Sequence, residues 1–453
     1  MTELFTTGGV SLRVWDTTGR MVFGPPTTGP EPSAPVEPVE LARRVIAGDT
    51  WYTGRVTTGR TGAKTYFSEH SMYASASALQ LTYGGQLPAG VTMEVAASVQ
   101  RQGGPASRAV ATFAGATTAT LTGPAQLVTD DIPLTVSEGE RIEILTYYGS
   151  RSDGGAHPGA PGGWYGAEIL EGNQVAAGSP RIASSRDFDG GSGYRPAMPS
   201  KITGLTDPST ISWLIAGDSI TESGSPDRTQ VGAYPSITSQ YTYSSAAAKG
   251  AGIPWVNIGY WASRYPARGR AEAHWAAIPS LEGFTHVTTA WGYNDLNMAA
   301  ATGATEAKVM ADAVATWAWM KEENPALKIW QTTISPNSTS TDGWTTLEGQ
   351  APVASAPLRR AFNAWVRDGA PLVDGAPVAA GTAGAIRAGE EGHPLAGYIE
   401  VADTLMSARD SEIFRVDRGA LTADGGHPNT VGHSLMRAPV DALVATWKQE
   451  VAG

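Results

Sequence analysis

The sequence predicts an α/β protein in two parts, a β-sandwich followed by a parallel sheet covered by helices. Three observations carry this reading. From 45 to 183, short apolar runs alternate with period two between Gly, Pro and Asp clusters, the rhythm of antiparallel strands. After 210 the runs become strands spaced by helical segments, which implies a parallel sheet buried on both faces. Between them, 184–209 is polar and contains Gly and Pro, and reads as a linker.

Residues 1–44 form an N-terminal arm. Within it, Val10, Leu12, Val14 and Trp15 predict one strand. Six prolines between 24 and 38 exclude a helix or central strand there, leaving an extended linker or a disordered tail. In the 45–183 domain, strands are expected at 79–83, 92–99, 109–113, 119–121 and 141–148, at the spacing of a sandwich or jelly roll. Met93, Val95, Ala97 and Val99 share one face of their strand, and Ile142 and Ile144 share one face of theirs. Residues 151–163 form a Gly-rich loop.

In the 210–453 domain, strands at 213–216, 255–258, 286–291 and 328–334 alternate with helices at 235–249, 305–323, 358–367 and 431–448. The 305–323 helix places Val309, Met310, Ala313, Val314 and Trp317 on one face. The polar boundary predicts few contacts across it, so a fragment from about residue 205 is expected to fold alone.

The chain of 453 residues is ample for large cores. Its net charge of −11 disfavours nucleic acid and anionic membrane as partners, since both reward a basic surface. With no cysteine there is no disulfide framework, thiolate metal site or cysteine nucleophile. The first residues, MTELFTTGGVSLRVWD, lack the basic region and the apolar run of about 7–15 residues that mark a signal peptide. No apolar stretch reaches the roughly 18 residues of a transmembrane helix. Three readings stay open: a cytoplasmic chain, one released without a leader, or a mature chain supplied without its leader.

Three motifs carry chemistry. The first is Gly217-Asp218-Ser219, at the end of an apolar strand. Ligands of open α/β sheets bind at the carboxyl ends of strands, where a serine is well placed as a nucleophile. Alone, it equally describes a turn with Ser as a helix cap. The second is Asp424-Gly-Gly-His427-Pro428, before the last helix. A serine nucleophile needs a base, and the base an orienting acid. An Asp three residues before His can turn back to bind the imidazole. A Gly-rich turn with a surface His is the plainer description. The third is Trp291-Gly292-Tyr293-Asn294-Asp295, after a strand. An Asn carboxamide there can donate to an oxyanion, although Asn and Asp also favour ordinary turns.

Together, in this order and context, the motifs resemble the SGNH (GDSL-type) hydrolase superfamily over about 211–448. The resemblance implies a flavodoxin-like three-layer domain with a parallel sheet. It implies Ser219 as nucleophile, His427 as general base and Asp424 as the acid that orients it. Asn294 would be the oxyanion-hole side chain, with the Ser219 amide as a second donor. The third donor falls in Asn257-Ile-Gly259-Tyr-Trp261-Ala262-Ser-Arg264. There Ala262 stands where the family has Gly, and Gly259 is the fallback. Ala at that position is strained if the backbone needs a positive φ. Gly426 also departs from the pattern, replacing the usual aliphatic residue before the final His, which is expected to loosen the loop.

The implied reaction attacks an ester carbonyl with Ser219 and passes through an acyl-enzyme. No metal or cofactor is expected. Of the other histidines, His274 is expected on a helix surface, His286 at the start of a strand, and His157 and His393 in loops. No pair has metal-ligand spacing with carboxylate support. Trp261, Trp291 and Tyr293 flank the motifs and are candidates to stack on a sugar ring, with core packing as the alternative.

The run from Asp131 to Leu145 resembles the β-domain that precedes the catalytic domain in some secreted actinobacterial SGNH esterases. The Pro-rich, leaderless arm is similar to tail-associated proteins of actinobacterial phages, which implies an extracellular or virion-associated chain attached through the arm. The expected activity is hydrolysis of O-acyl esters, O-acetyl first, on an envelope or other polysaccharide, with small esters also accepted. The alternatives are a lipid or mycolyl esterase, and a non-catalytic glycan- or receptor-binding virion module with a degenerate hydrolase domain.

Overall fold

The computed structural model describes residues 14–15, 21–22, 40–48, 50–51, 62–84, 87–102, 108–157, 169–170, 198–222, 242–266, 278, 280–298 and 303–452. The chain divides into two units, Met1–Glu40 and Leu41–Gly453. In the first, β1 (Val14–Trp15) pairs antiparallel with β2 (Met21–Val22), so the expected strand is described over its last two residues. The Pro-rich stretch 24–38 lies outside the described residues.

In the second unit, two antiparallel sheets come first. One has the order β10 (Gln126–Val128), β6 (Ser77–Gly84), β13 (Lys201–Thr206), β3 (Ala42–Val45). The other runs β12 (Ile169–Leu170), β5 (Lys64–Ser71), β11 (Arg141–Tyr148), β7 (Thr92–Arg101), β8 (Ala109–Val110), with β9 (Ala119–Thr122) also on β7. Leu79, Leu81, Tyr83 and Ile202 from the first sheet share one apolar core with Met93, Val95, Ala97, Val99, Ile142 and Ile144 from the second. The period-two faces read from the sequence are therefore the faces that pack.

The parallel sheet has the order β22 (Gly397–Ile399), β17 (Lys328–Thr332), β16 (His286–Ala290), β14 (Trp213–Gly217), β15 (Trp255–Asn257), β4 (Thr50–Trp51). Without β4 this is the flavodoxin-like order. The chain leaves β14 for one side, then crosses back to build the other. Right-handed crossovers put the intervening helices on opposite faces. Accordingly α2 (Tyr243–Ala251) packs against the C-terminal α7 (Thr430–Ala452). On the other face, α3 (Tyr293–Asn297), α4 (Glu306–Glu323) and α5 (Ala356–Arg367) pack together. Two one-turn helices complete the set, α1 (Ser219–Glu222) and α6 (Ala402–Leu405). Short hairpins pair β18 (Ser338–Ser340) with β19 (Gln350–Pro352), and β20 (Leu372–Val373) with β21 (Ala376–Pro377).

Local signals explain the helix ends. Thr305 caps α4, its hydroxyl accepting the Lys308 amide at 3.2 Å. Val309, Ala313, Val314 and Trp317 face the core as expected, while Met310 is partly buried. Asn429 caps α7, its Oδ1 taking the amides of Val431 at 3.1 Å and Gly432 at 3.0 Å. α2 is described from Tyr243, and the earlier part of the expected helix lies outside the described residues.

The boundary differs from expectation. Residues 201–206, read as linker, form β13 in the middle of a sheet. Residues 42–45, assigned to the arm, form edge strand β3. Thr50 and Trp51, assigned to the β-sandwich, extend the parallel sheet beside β15. Short polar-flanked runs such as Lys-Ile-Thr-Gly-Leu-Thr carry too little apolar periodicity to announce a strand.

Contacts across the seam are dense. The Val45 amide donates to the Gly283 carbonyl at 3.1 Å, and the Trp255 amide to the Ala47 carbonyl at 3.2 Å. The Ser212 hydroxyl donates to the Val45 carbonyl at 2.8 Å. Lys201 Nζ donates to the carbonyls of Ser280 and Glu282 at 2.9 and 3.0 Å. Gly48 lets Trp255 and Tyr73 close over the chain, since a Cβ there would sit 2.4 Å from the Trp255 ring.

A fragment starting at residue 205 loses β3, β4 and most of β13, which leaves β15 as an open edge. It is expected to be insoluble, or to melt well below the intact chain. A soluble fragment melting within about 5 °C of the full chain would show that the seam contributes little.

Candidate active site

The carboxyl ends of β14 and β16 meet where the strand order reverses, the place where open parallel sheets form clefts. All five residues of β14 are buried, and the strand runs into Asp218 and Ser219. Gly217 is required by close packing rather than by an unusual turn. A Cβ on it would lie 2.1 Å from Thr221 Oγ1 and 3.0 Å from Ala290 Cβ. Asp218 Oδ1 accepts the Ile220 amide at 3.0 Å, and its carbonyl accepts Thr221 and Glu222 at 3.1 and 2.8 Å. These bonds close α1, with Ser219 as its first residue.

The loop before α7 brings His427 to the serine. Ser219 Oγ lies 2.8 Å from His427 Nε2. His427 Nδ1 lies 2.7 Å from Asp424 Oδ2. An ionised carboxylate only accepts, so Nδ1 carries the proton and Nε2 is left to accept from the serine. Asp424 Oδ1 takes the amides of Gly426 at 2.9 Å and His427 at 2.8 Å. Burial works against its charge, but the His427 ring and these amides outweigh burial and hold the carboxyl well below the usual range.

Gly426 does not loosen this loop. A Cβ there would lie 2.1 Å from the Tyr293 hydroxyl, so the missing side chain is what lets Tyr293 pack beneath the loop. Gly425, at φ 83°, comes so close to Ser338 that a Cβ would lie 1.9 Å from its carbonyl oxygen. The Ser338 amide donates to the Gly425 carbonyl at 3.0 Å.

Asn294, in the first turn of α3, donates from Nδ2 to the Ser263 carbonyl at 3.1 Å. An amide nitrogen has two N–H groups, so this bond fixes the rotamer and leaves a second donor. Ala262 has φ 59°, the left-handed region, and is exposed. No acceptor among the described residues takes the amides of Ser219 or Ala262. Gly259 is not an alternative donor, because its amide is already held by Asn257 Oδ1 at 2.7 Å. Asn257 Nδ2 also donates to the Thr221 carbonyl at 2.9 Å, tying the 258–264 loop to α1.

The flanking aromatics separate. Trp261 is 54 % exposed. Trp291 is fully buried, with Nε1 donating to Ser263 Oγ at 3.1 Å, so its face is not offered to a ligand. Tyr293 is buried as well, and burial pushes its hydroxyl far above the usual phenol range. Of the two readings open for them, sugar contact and core packing, the structure gives core packing for both. His286 opens β16 as expected, stacked on Trp330 at 5.4 Å. His157 and His393 lie in loops as expected, and both are buried, each with a ring nitrogen 2.9 Å from a backbone carbonyl. His274 lies outside the described residues.

Three groups near the site carry no role in the sequence reading. Burial pushes the Asp218 carboxyl up to about 7, against the Ile220 amide and His427. His433, buried in α7, stacks on Tyr243 at 6.1 Å, and burial pulls its imidazole down to about 4. Thr422 Oγ1 takes the amides of Asp424 at 3.3 Å and Gly425 at 3.0 Å. The spacing Thr422-x-Asp424 was a visible turn signal for the last of these.

No family model matches the chain, and no curated protein does. Similar solved structures include a family two carbohydrate esterase from Clostridium thermocellum in complex with cellohexaose, 12 % identical, TM-score 0.36, covering 83 % of this chain and 94 % of that one. A lipolytic protein of the G-D-S-L family from Desulfitobacterium hafniense is 14 % identical at TM-score 0.35, covering 52 % of this chain and 99 % of its own. A carbohydrate acetylesterase from Sinorhizobium meliloti is 15 % identical at TM-score 0.32, covering 52 % and 99 %. Likeness this slight leaves the site itself to carry the chemistry.

Ala262→Gly relieves a left-handed strain while keeping the amide, and is expected to raise stability by roughly 1 kcal/mol in urea denaturation. A less stable variant would mean that the positive φ is not strained. Asp218 holds its proton more tightly folded than unfolded, where aspartate titrates near about 3.9. Its contribution is intact below that value and is lost as pH rises towards about 7. Asp218→Asn is therefore expected to gain on wild type in urea midpoint across that range. Parallel stability curves for the two would show that Asp218 ionises normally.

Proposed function

We propose that the protein is a serine esterase that hydrolyses O-acyl esters, with O-acetyl groups on a polysaccharide as the first substrate class. The observation that carries this reading is the continuous hydrogen-bonded chain from Ser219 through His427 to Asp424. Beside it stand two amides without acceptors among the described residues and one anchored carboxamide. A nucleophile, a base of fixed tautomer and a set of N–H donors are what acyl transfer needs.

In this reading Ser219 attacks the ester carbonyl as His427 Nε2 takes its proton. The Ser219 and Ala262 amides and the Asn294 carboxamide bind the oxyanion. The tetrahedral intermediate collapses, and His427 gives its proton to the departing alkoxide. Water then enters, loses a proton to His427 and attacks the acyl-enzyme, and His427 returns that proton to Ser219 Oγ as the acid leaves. Asp424 stays ionised throughout and stabilises the imidazolium.

The exposed ring of Trp261, beside Ala262, supports a sugar as the alcohol part. A longer acyl chain is the second reading. Met298, 43 % exposed, follows Asn294 by one turn, and Val431, 42 % exposed, follows His427 closely. Both are exposed apolar side chains close in sequence to the proposed site residues.

A panel of p-nitrophenyl esters and acetylated glycans tests this. Turnover is expected, fastest with short acyl groups, and Ser219→Ala should abolish it without lowering the melting temperature. A preference for long chains selects the second reading. No turnover on any ester makes the domain a binding module. Protonating His427 removes its acceptor lone pair, so kcat/KM is expected to rise with pH on the acid side. A profile flat from about pH 5 to about pH 9 is incompatible with a histidine base.

A further inference from the structure

We propose that Arg359 is a positioning residue that keeps the oxyanion donor and the base in register with Ser219. The inference rests on the esterase reading. Arg359 lies on α5 and is wholly buried, as is its partner Glu412. Nε and Nη2 each lie 2.8 Å from Glu412 Oε2. The remaining donors reach separate parts of the site. Nη1 donates to Asn297 Oδ1 at 2.5 Å and to Ser355 Oγ at 2.8 Å. Nη2 donates to the Asn337 carbonyl at 3.3 Å.

The first arm leads to the oxyanion donor. Asn297 ends α3, the five-residue helix that carries Asn294. The same helix carries Tyr293, whose hydroxyl lies against Gly426 with no room for a Cβ. The second arm leads to the base. Asn337 precedes Ser338, whose amide holds the Gly425 carbonyl between Asp424 and His427. One planar guanidinium thus links α3 and the His427 loop from below. A lysine has no fixed fork with which to hold all these partners.

Stability alone does not account for such a group. A buried ion pair is expensive to desolvate, and an apolar pair of similar volume is often as stable or more so. Glu412 is moreover held at φ 58°, a left-handed conformation that is unusual for a long side chain. The fold carries both costs at a point where two catalytic segments meet.

The double variant Arg359→Met/Glu412→Met separates positioning from stability. It removes both charges together, so its melting temperature should stay near wild type. Its kcat on a small soluble ester should fall about 100-fold, with KM nearly unchanged. A kcat within about twofold of wild type in the folded double variant overturns the proposal. Should that variant not fold, Asn297→Ala keeps the ion pair and cuts the first arm. A fall of about 10-fold in kcat is then expected, and an unchanged kcat overturns the proposal. If wild type turns over no ester, the esterase reading fails separately. The far-downfield proton of His427 Nδ1, seen by NMR, then reports the geometry. Its loss or shift in the variants supports the proposal, and an identical signal overturns it.

Discussion

The hydrogen bond between Ser219 and His427 spans 208 positions of sequence, and the α/β half is arranged around it. A hydroxyl and an imidazole brought to 2.8 Å gain little from one bond, so neither side chain is held by the other. Ser219 is placed by a buried strand and by the Asp218 bonds that close α1. His427 is placed by Asp424, which grips the loop backbone with one oxygen and the ring with the other. The same carboxylate thereby shapes the loop and sets the tautomer.

Close approach, rather than an unusual turn, accounts for three glycines around the candidate site. Gly217, Gly259 and Gly426 sit where a Cβ would meet Thr221, the Glu222 amide and the Tyr293 hydroxyl. Ala262 is the reverse case, a residue with a Cβ where the backbone is left-handed. Its amide is what an oxyanion would use, and that group is common to Ala and Gly. An alanine here therefore differs from a glycine in backbone strain and not in the N–H it carries.

Much of the site was legible because its residues lie in short motifs at the ends of strongly patterned strands. Ser219, Asn294, Asp424 and His427 were named from the three motifs together and the superfamily these resemble, since each motif alone also describes an ordinary turn, and the structure brings all four to one end of the sheet. Strands with apolar alternation, such as 92–101 and 141–148, were visible for the same reason. What was missed is set by distant partners. Trp291 and Tyr293 look like loop aromatics until Ser263 and Tyr265 meet the first and Gly426 meets the second. Gly426 looks slack until Tyr293 fills the space beside it. Lys201–Thr206 looks like a linker because its strand character comes from β3 and β6 on either side. Arg359 sits in an ordinary amphipathic helix, and no spacing reveals that its partners are Asn297, Asn337 and Glu412.

The parallel sheet ends on β4, which the ribosome delivers long before its partner. Thr50 pairs with Val256, so about 200 residues must follow before that edge has anything to bind. At elongation rates of about 5–20 residues per second, the wait is roughly 10–40 s. Throughout it, the apolar faces of the β region mature while a short strand waits without its sheet. Pairings this remote in sequence close late and slowly. The parallel half thus becomes complete only after synthesis has passed well beyond the β half, and the nascent chain has to keep Thr50 and Trp51 available until then.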